Sequence, residues 1–132
     1  MYEFDVAVDA ARAATSALGG APVPRRDEWW PEHLVLASLV RCTLASLDFH
    51  AGQADLDVTA SGRAHGVVTK REDDGIYAFV EIESSLDVEL SPAPDRSAIE
   101  ELVAKAERGC FVGNSLTSKP RYRWTVNGEE VA

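Results

Sequence analysis

Residues 34–49 read Leu-Val-Leu-Ala-Ser-Leu-Val-Arg-Cys-Thr-Leu-Ala-Ser-Leu-Asp-Phe, with Arg41 the only charge before Asp48. Just ahead, Pro31 suits a first helical position, where its missing N–H would be unpaired anyway, and Glu32 favours the positive end of the helix dipole. The segment therefore predicts a helix that is apolar on nearly every face, and such a helix must be covered on nearly every face. One sheet cannot do that in a chain of 132 residues. A second helix or a partner subunit is expected to supply the remaining cover.

Length predicts one domain over residues 1–132, large enough to bury a core without disulfide or metal staples. The chain carries 22 acidic against 13 basic side chains, a net charge of −9. That balance repels nucleic acid and anionic membrane surfaces and leaves small molecules or proteins as partners. Cys42 and Cys110 make no disulfide framework, and with His33, His50 and His65 scattered no metal set is expected, nor a bound cofactor. The N-terminus, Met-Tyr-Glu-Phe-Asp, lacks a basic and then apolar leader, and the apolar runs are read as too short to span a bilayer. The expected location is cytoplasmic. Thiols stay reduced there, so the two cysteines are either core filler or redox chemistry.

Tyr2, Phe4, Val6 and Val8 alternate with Glu3, Asp5, Ala7 and Asp9, the period of a half-buried strand. Residues 10–28, with Gly19-Gly20, Pro22 and Pro24, predict a turn and an irregular crossing with room for a short strand. After Gly52, strands are expected over 54–60, 63–71, 76–84 and 86–90, with a hairpin tip at the acidic run Glu72-Asp73-Asp74 and Gly75. Ser97 with Glu100 three residues on reads as a capping box. Ile99, Leu102, Val103, Ala106 and Cys110 then fall on one face of a second helix, which Cys110 ends. A strand over 122–126 closes the order, with Trp124 inward. The fold class is α+β, two helices against a mainly antiparallel sheet.

If the two helices pack together, both sulfurs project from core faces and can come within bonding distance. A thiol attacks a peroxide as the thiolate, which in an apolar site needs a nearby cation. Arg12, Arg25, Arg26 and Arg41 are available, although Arg41 points about 100° away from Cys42 round the helix. Glu32 lies about 15 Å before Cys42 along the axis, too far to touch the thiol but placed to orient an arginine or to stabilise the helix start.

The run Trp30-Pro31-Glu32-His33-Leu34 with Cys42 ten residues after the glutamate, and Ala106-Glu107-Arg108-Gly109-Cys110-Phe111-Val112-Gly113-Asn114, resemble the OsmC/Ohr family of osmotically induced and organic-hydroperoxide-resistance proteins. The resemblance implies an intertwined homodimer with two sites at the subunit interface, working as a thiol-dependent peroxidase. It makes Cys42 the peroxide-attacking cysteine, Cys110 the resolving cysteine and Glu32 the partner of an active-site arginine. The spacing from Tyr2 selects Arg12 for that arginine over Arg25 or Arg26. The chain departs from the family pattern at Ala10-Ala11, where Ohr-like members carry Gly-Gly, and at Phe111, where they carry proline.

On that resemblance the substrate is an organic hydroperoxide, with hydrogen peroxide second. Cys42 forms a sulfenic acid, Cys110 closes a disulfide, and an external dithiol of the lipoyl type restores both thiols. Trp29, Trp30 and Phe111 are candidates to contact the substrate, or to pack in a core or dimer. The alternative is an OsmC-like module that binds a small apolar molecule with little peroxidase activity.

Overall fold

A computed structural model describes residues 1–131 and divides the chain into two compact units, Met1–Leu34 and the remainder from Val35 on. In the first unit the alternating N-terminal residues form a strand only over Val6–Val8 (β1), paired antiparallel with Ala14–Ser16 (β2). The ladder is short because β2 offers three residues to pair with. Tyr2, Phe4, Val6 and Val8 remain between 61% and 80% exposed in the single chain. The intervening turn is tied by Ala13 N–H donating to Asp9 Oδ1 at 3.0 Å, and Arg12 sits in it with φ +69°.

The predicted long helix is present as α1, Pro31–Gln53. His33 serves its start: Trp30 N–H donates to His33 Nδ1 at 3.0 Å, and the Trp29 ring meets the imidazole edge-on at 6.2 Å. By length and composition α1 is apolar enough to cross a bilayer, which corrects the expectation that no segment is. Leu39, Thr43, Leu47 and Ala51 form a buried i, i+4 stripe along one face of it. The described residues do not supply the cover expected on every face: Leu34 is 47% and Phe49 63% exposed.

In the second unit four strands stand in the order β3-β4-β5-β6. β3 (Asp57–Lys70) and β4 (Tyr77–Ser91) form one long antiparallel pair, from Asp57 opposite Ser91 to Lys70 opposite Tyr77. The sequence divided each of these strands in two. Gly62 and Gly66 lie inside β3, where another structure presses close. A Cβ at 62 would lie 2.9 Å from Val40 Cγ1, and one at 66 would lie 2.6 Å from the Phe79 ring and 3.2 Å from Leu36 Cδ2. Both glycines make room, and neither ends a strand.

α2 spans Arg96–Arg108 and is capped by Asp95, whose Oδ1 accepts from Ala98 N–H at 2.8 Å, in place of the expected Ser97 box. The chain then makes a short helix, α3 (Phe111–Ser115), and returns as β5 (Arg121–Val126), parallel to β4. A tight turn with Asn127 and Gly128 both at positive φ leads to β6, Glu129–Val131.

Ile82, Leu86, Val88 and Leu90 of β4, with Trp124 and Val126 of β5, face inward and are buried. One apolar cluster joins Leu47, Ala51, Leu102, Val103 and Ala106 to this face. A second gathers Leu39, Ile82 and Cys110, with Leu36, Cys42, Phe79, Val112 and Leu116 around them. The outer face is polar, and ion pairs from 2.7 to 3.8 Å link Glu81, Arg121, Glu83, Arg123 and Glu130. These pairs are exposed and add little to stability.

Candidate active site

Cys42 borders the buried stripe of α1, one position before Thr43, and is half-buried. Cys110 does not end α2, as its spacing suggested. Gly109 closes that helix, its N–H donating to Lys105 O at 3.0 Å, and Cys110 becomes the cap of α3 instead. The Cys110 side chain is fully buried and its sulfur accepts from Gly113 N–H at 3.4 Å. Both cysteines are free thiols, and both pack in the same apolar cluster.

Val112 packs in the same cluster as Cys42, and the Val112 and Phe111 N–H groups favour the charged form of its thiol. A proline at 111 would have no N–H to give, so the departure from the family pattern adds a donor at this point. Burial pushes the Cys42 thiol above its ordinary range. The Val112 N–H opposes that rise, the neighbouring Cys110 adds to it, and the Phe111 N–H opposes it again. None of these influences is a cation, and a thiolate here calls for one.

Around Cys110 the structure adds two residues that the sequence did not single out. Thr43 Oγ1 lies 3.2 Å from the Cys110 sulfur and donates to the Leu39 carbonyl at 2.9 Å. The Tyr122 hydroxyl adjoins the same pocket, against Gly113. Burial first, then the adjacent Cys110, push the Tyr122 phenol far up, so it remains protonated and able to donate. Gly113 leaves room for this hydroxyl: a Cβ there would fall on Tyr122 Oη and lie 3.3 Å from the Cys110 sulfur. The signals were present in the sequence. Thr43 is the one polar member of an otherwise apolar i, i+4 stripe, and Tyr122 shares the inward face with Trp124 and Val126.

Glu107, half-buried at the end of α2, accepts from Trp124 Nε1 at 3.3 Å, and burial pushes its carboxyl up. Ser84 pairs with Tyr122 in the β4–β5 register, and its buried hydroxyl is the one buried side-chain polar atom without a partner among the described residues.

Arg12 and Glu32 stand in the N-terminal unit, both exposed. Arg12 Nη1 contacts the Ala10 carbonyl at 3.5 Å, and Glu32 occupies the first turn of α1. Among the described residues no ion pair joins them in the single chain. Arg25 faces Asp27 at 3.7 Å, and Arg26 and Arg41 are exposed. Trp29 is 50%, Trp30 64% and Phe111 55% exposed, so none of the three is core filler within the chain. Among the described residues no cluster of three metal-ligating side chains occurs.

Among curated proteins none matches the chain in sequence. Solved structures do match it in fold. An OsmC-like protein of unknown function from Vibrio cholerae superposes with a TM-score of 0.81 at 16% identity, covering 95% of this chain and 100% of that one. An OsmC-like protein from Mycoplasma pneumoniae gives 0.72 at 17% identity over 96% of each chain. An organic hydroperoxide resistance protein from Elizabethkingia anophelis gives 0.67 at 18% identity, again over 96% of each. The profile of the OsmC-like protein family matches residues 25–125, a span that holds Glu32, Cys42 and Cys110, and the chain belongs to that family.

Proposed function

We propose that this chain is a thiol-dependent peroxidase that reduces organic hydroperoxides. The observation that carries the reading is the packing of Cys42 and Cys110 in one apolar cluster, one half-buried and one fully buried. Cys42 as thiolate attacks the outer peroxide oxygen. The O–O bond breaks, an alcohol leaves after taking a proton, and Cys42 becomes a sulfenic acid. Cys110 then displaces the sulfenic hydroxyl, which leaves as water, and a disulfide joins the two residues. An external dithiol, of the lipoyl type on the family resemblance, returns two electrons in a reducing cytoplasm.

Arg12, oriented by Glu32, supplies the cation that Cys42 needs, and a homodimer assembles the complete site. The exposed Phe4, Val6 and Val8 of the N-terminal unit, and the exposed apolar residues of α1, support a second chain as their cover. The apolar surroundings of the thiols, Leu36, Phe79, Val112 and Leu116, favour an alkyl or aryl hydroperoxide over hydrogen peroxide. Consumption of cumene hydroperoxide with a dithiol reductant tests the reading. The wild-type chain turns over and Cys42→Ser does not; equal consumption by the variant refutes the assignment.

A binding module on the same fold is favoured by one observation, the upward push that burial exerts on the Cys42 thiol. A titration of Cys42 reactivity separates the two readings. A midpoint well below about 8.5 belongs to the peroxidase, and one above it to the binding protein.

A further inference from the structure

We propose that Tyr122 and Thr43 form a donor pocket for the Cys110 sulfur, making them catalytic residues of the disulfide-closing step. This rests on the peroxidase reading and extends it to a step for which neither the sequence nor the family motif assigns a residue. Cys110 is sealed from water, so no solvent can stabilise negative charge on its sulfur as the thiol gives up its proton. The protein must provide the donors: the Gly113 N–H at 3.4 Å and the Thr43 hydroxyl at 3.2 Å reach the sulfur, and the Tyr122 hydroxyl adjoins the same Gly113 position.

The hydroxyls suit the step because their protons can turn. In the resting thiol the single Thr43 proton goes to the Leu39 carbonyl, at 2.9 Å, which leaves the oxygen free to accept the Cys110 S–H. When that proton departs, Thr43 can rotate its own proton from the carbonyl onto the sulfur. The Tyr122 hydroxyl, against Gly113, keeps its proton and can turn it toward the sulfur. The pocket thus serves the thiol and the thiolate with the same atoms, and donors placed in a dry site are worth far more than in water.

In the step itself the Cys110 S–H bond breaks and the S–S bond to Cys42 forms. The S–O bond of the Cys42 sulfenic acid breaks, and the Cys110 proton ends on the departing hydroxyl as water. Ionisable groups near Cys110 come from each packed element: Cys42 on α1, Glu107 on α2, which acts on Tyr122, and Tyr122 on β5. His50 of α1 lies beside the adjacent Gly109.

Single-turnover oxidation by cumene hydroperoxide, with sulfenic acid trapped by dimedone at timed intervals, tests the pocket. In Tyr122→Phe the sulfenic acid should form at the wild-type rate, disulfide closure should slow by about tenfold or more, and the pH midpoint of closure should rise. Thr43→Val should behave alike, and Thr43→Ser, which keeps the hydroxyl, should restore closure. Wild-type closure with an unmoved midpoint in Tyr122→Phe overturns the proposal. If no chain forms a sulfenic acid, the peroxidase reading fails by itself. The pocket is then judged by the pH profile of Cys110 alkylation in a Cys42→Ser background. Tyr122→Phe should move that profile upward, and an unmoved profile overturns the pocket as well.

Discussion

Gly113→Ala should destabilise the reduced protein through one contact, and Tyr122→Phe should relieve it. The new methyl would fall on the Tyr122 hydroxyl, 3.3 Å from the Cys110 sulfur and 3.5 Å from Leu39 Cδ1. None of these neighbours yields readily. Tyr122 is anchored in β5 opposite Ser84, Cys110 caps α3, and Leu39 is fully buried. Overpacking of this kind costs about 1–3 kcal/mol, and replacing a helical glycine by alanine returns about 0.5–1 kcal/mol. The net loss is centred at about 1 kcal/mol. With a urea slope of about 1–3 kcal/mol per molar, the midpoint should fall by up to about 1 M. Denaturation of the reduced proteins at one fixed protein concentration provides the assay, since assembly would make the midpoint depend on concentration. Removing the phenolic oxygen removes the clash, so the double variant should be more stable than the sum of the single effects by about 1 kcal/mol. A Gly113→Ala variant as stable as wild type, or strict additivity of the two changes, would refute the placement of Tyr122 against α3.

Ser84→Ala should leave stability unchanged or raise it by up to about 1 kcal/mol, because the hydroxyl it removes is buried without a partner; a loss beyond that in urea denaturation contradicts the unsatisfied state. Glu107→Gln should stabilise the protein near neutral pH. Burial raises the folded-state pKa of Glu107, so its contribution is fully present below the unfolded value of about 4.3 and is lost as pH rises through the folded one. The advantage of the amide should vanish below about pH 4, and a difference that persists there would count against a titration origin. Leu39→Ala, at the centre of the cluster around Cys110, should cost about 3–5 kcal/mol as a cavity; a loss below about 1 kcal/mol would show that the cluster is loosely packed.

The sequence made α1 legible from Pro31 onward because a long apolar run behind a proline and an acidic first turn leaves few other structures. It also put Cys42 and Cys110 on core faces, and the two pack in one apolar cluster. Gly62 and Gly66 misled it: local rules read glycine as punctuation, whereas these two mark where Val40, Leu36 and Phe79 crowd the backbone. The parallel pairing of β4 with β5 leaves no trace in local periodicity, because it joins segments far apart in the chain. The place of Cys110 failed for a different reason. Its helical spacing from Ala106 was real, but Gly109 ended the helix one residue too early. Thr43 and Tyr122 were hidden because a hydroxyl within an apolar pattern declares its role only when its partner is known.

The central claim is that Cys42 attacks and Cys110 resolves. Peptide mapping of the protein after one equivalent of cumene hydroperoxide tests it most directly. The claim predicts an intact mass lower by two hydrogens and a single cross-linked peptide pair joining Cys42 to Cys110. Two unmodified thiols, or oxygen added to Cys42 with Cys110 still free, would contradict it.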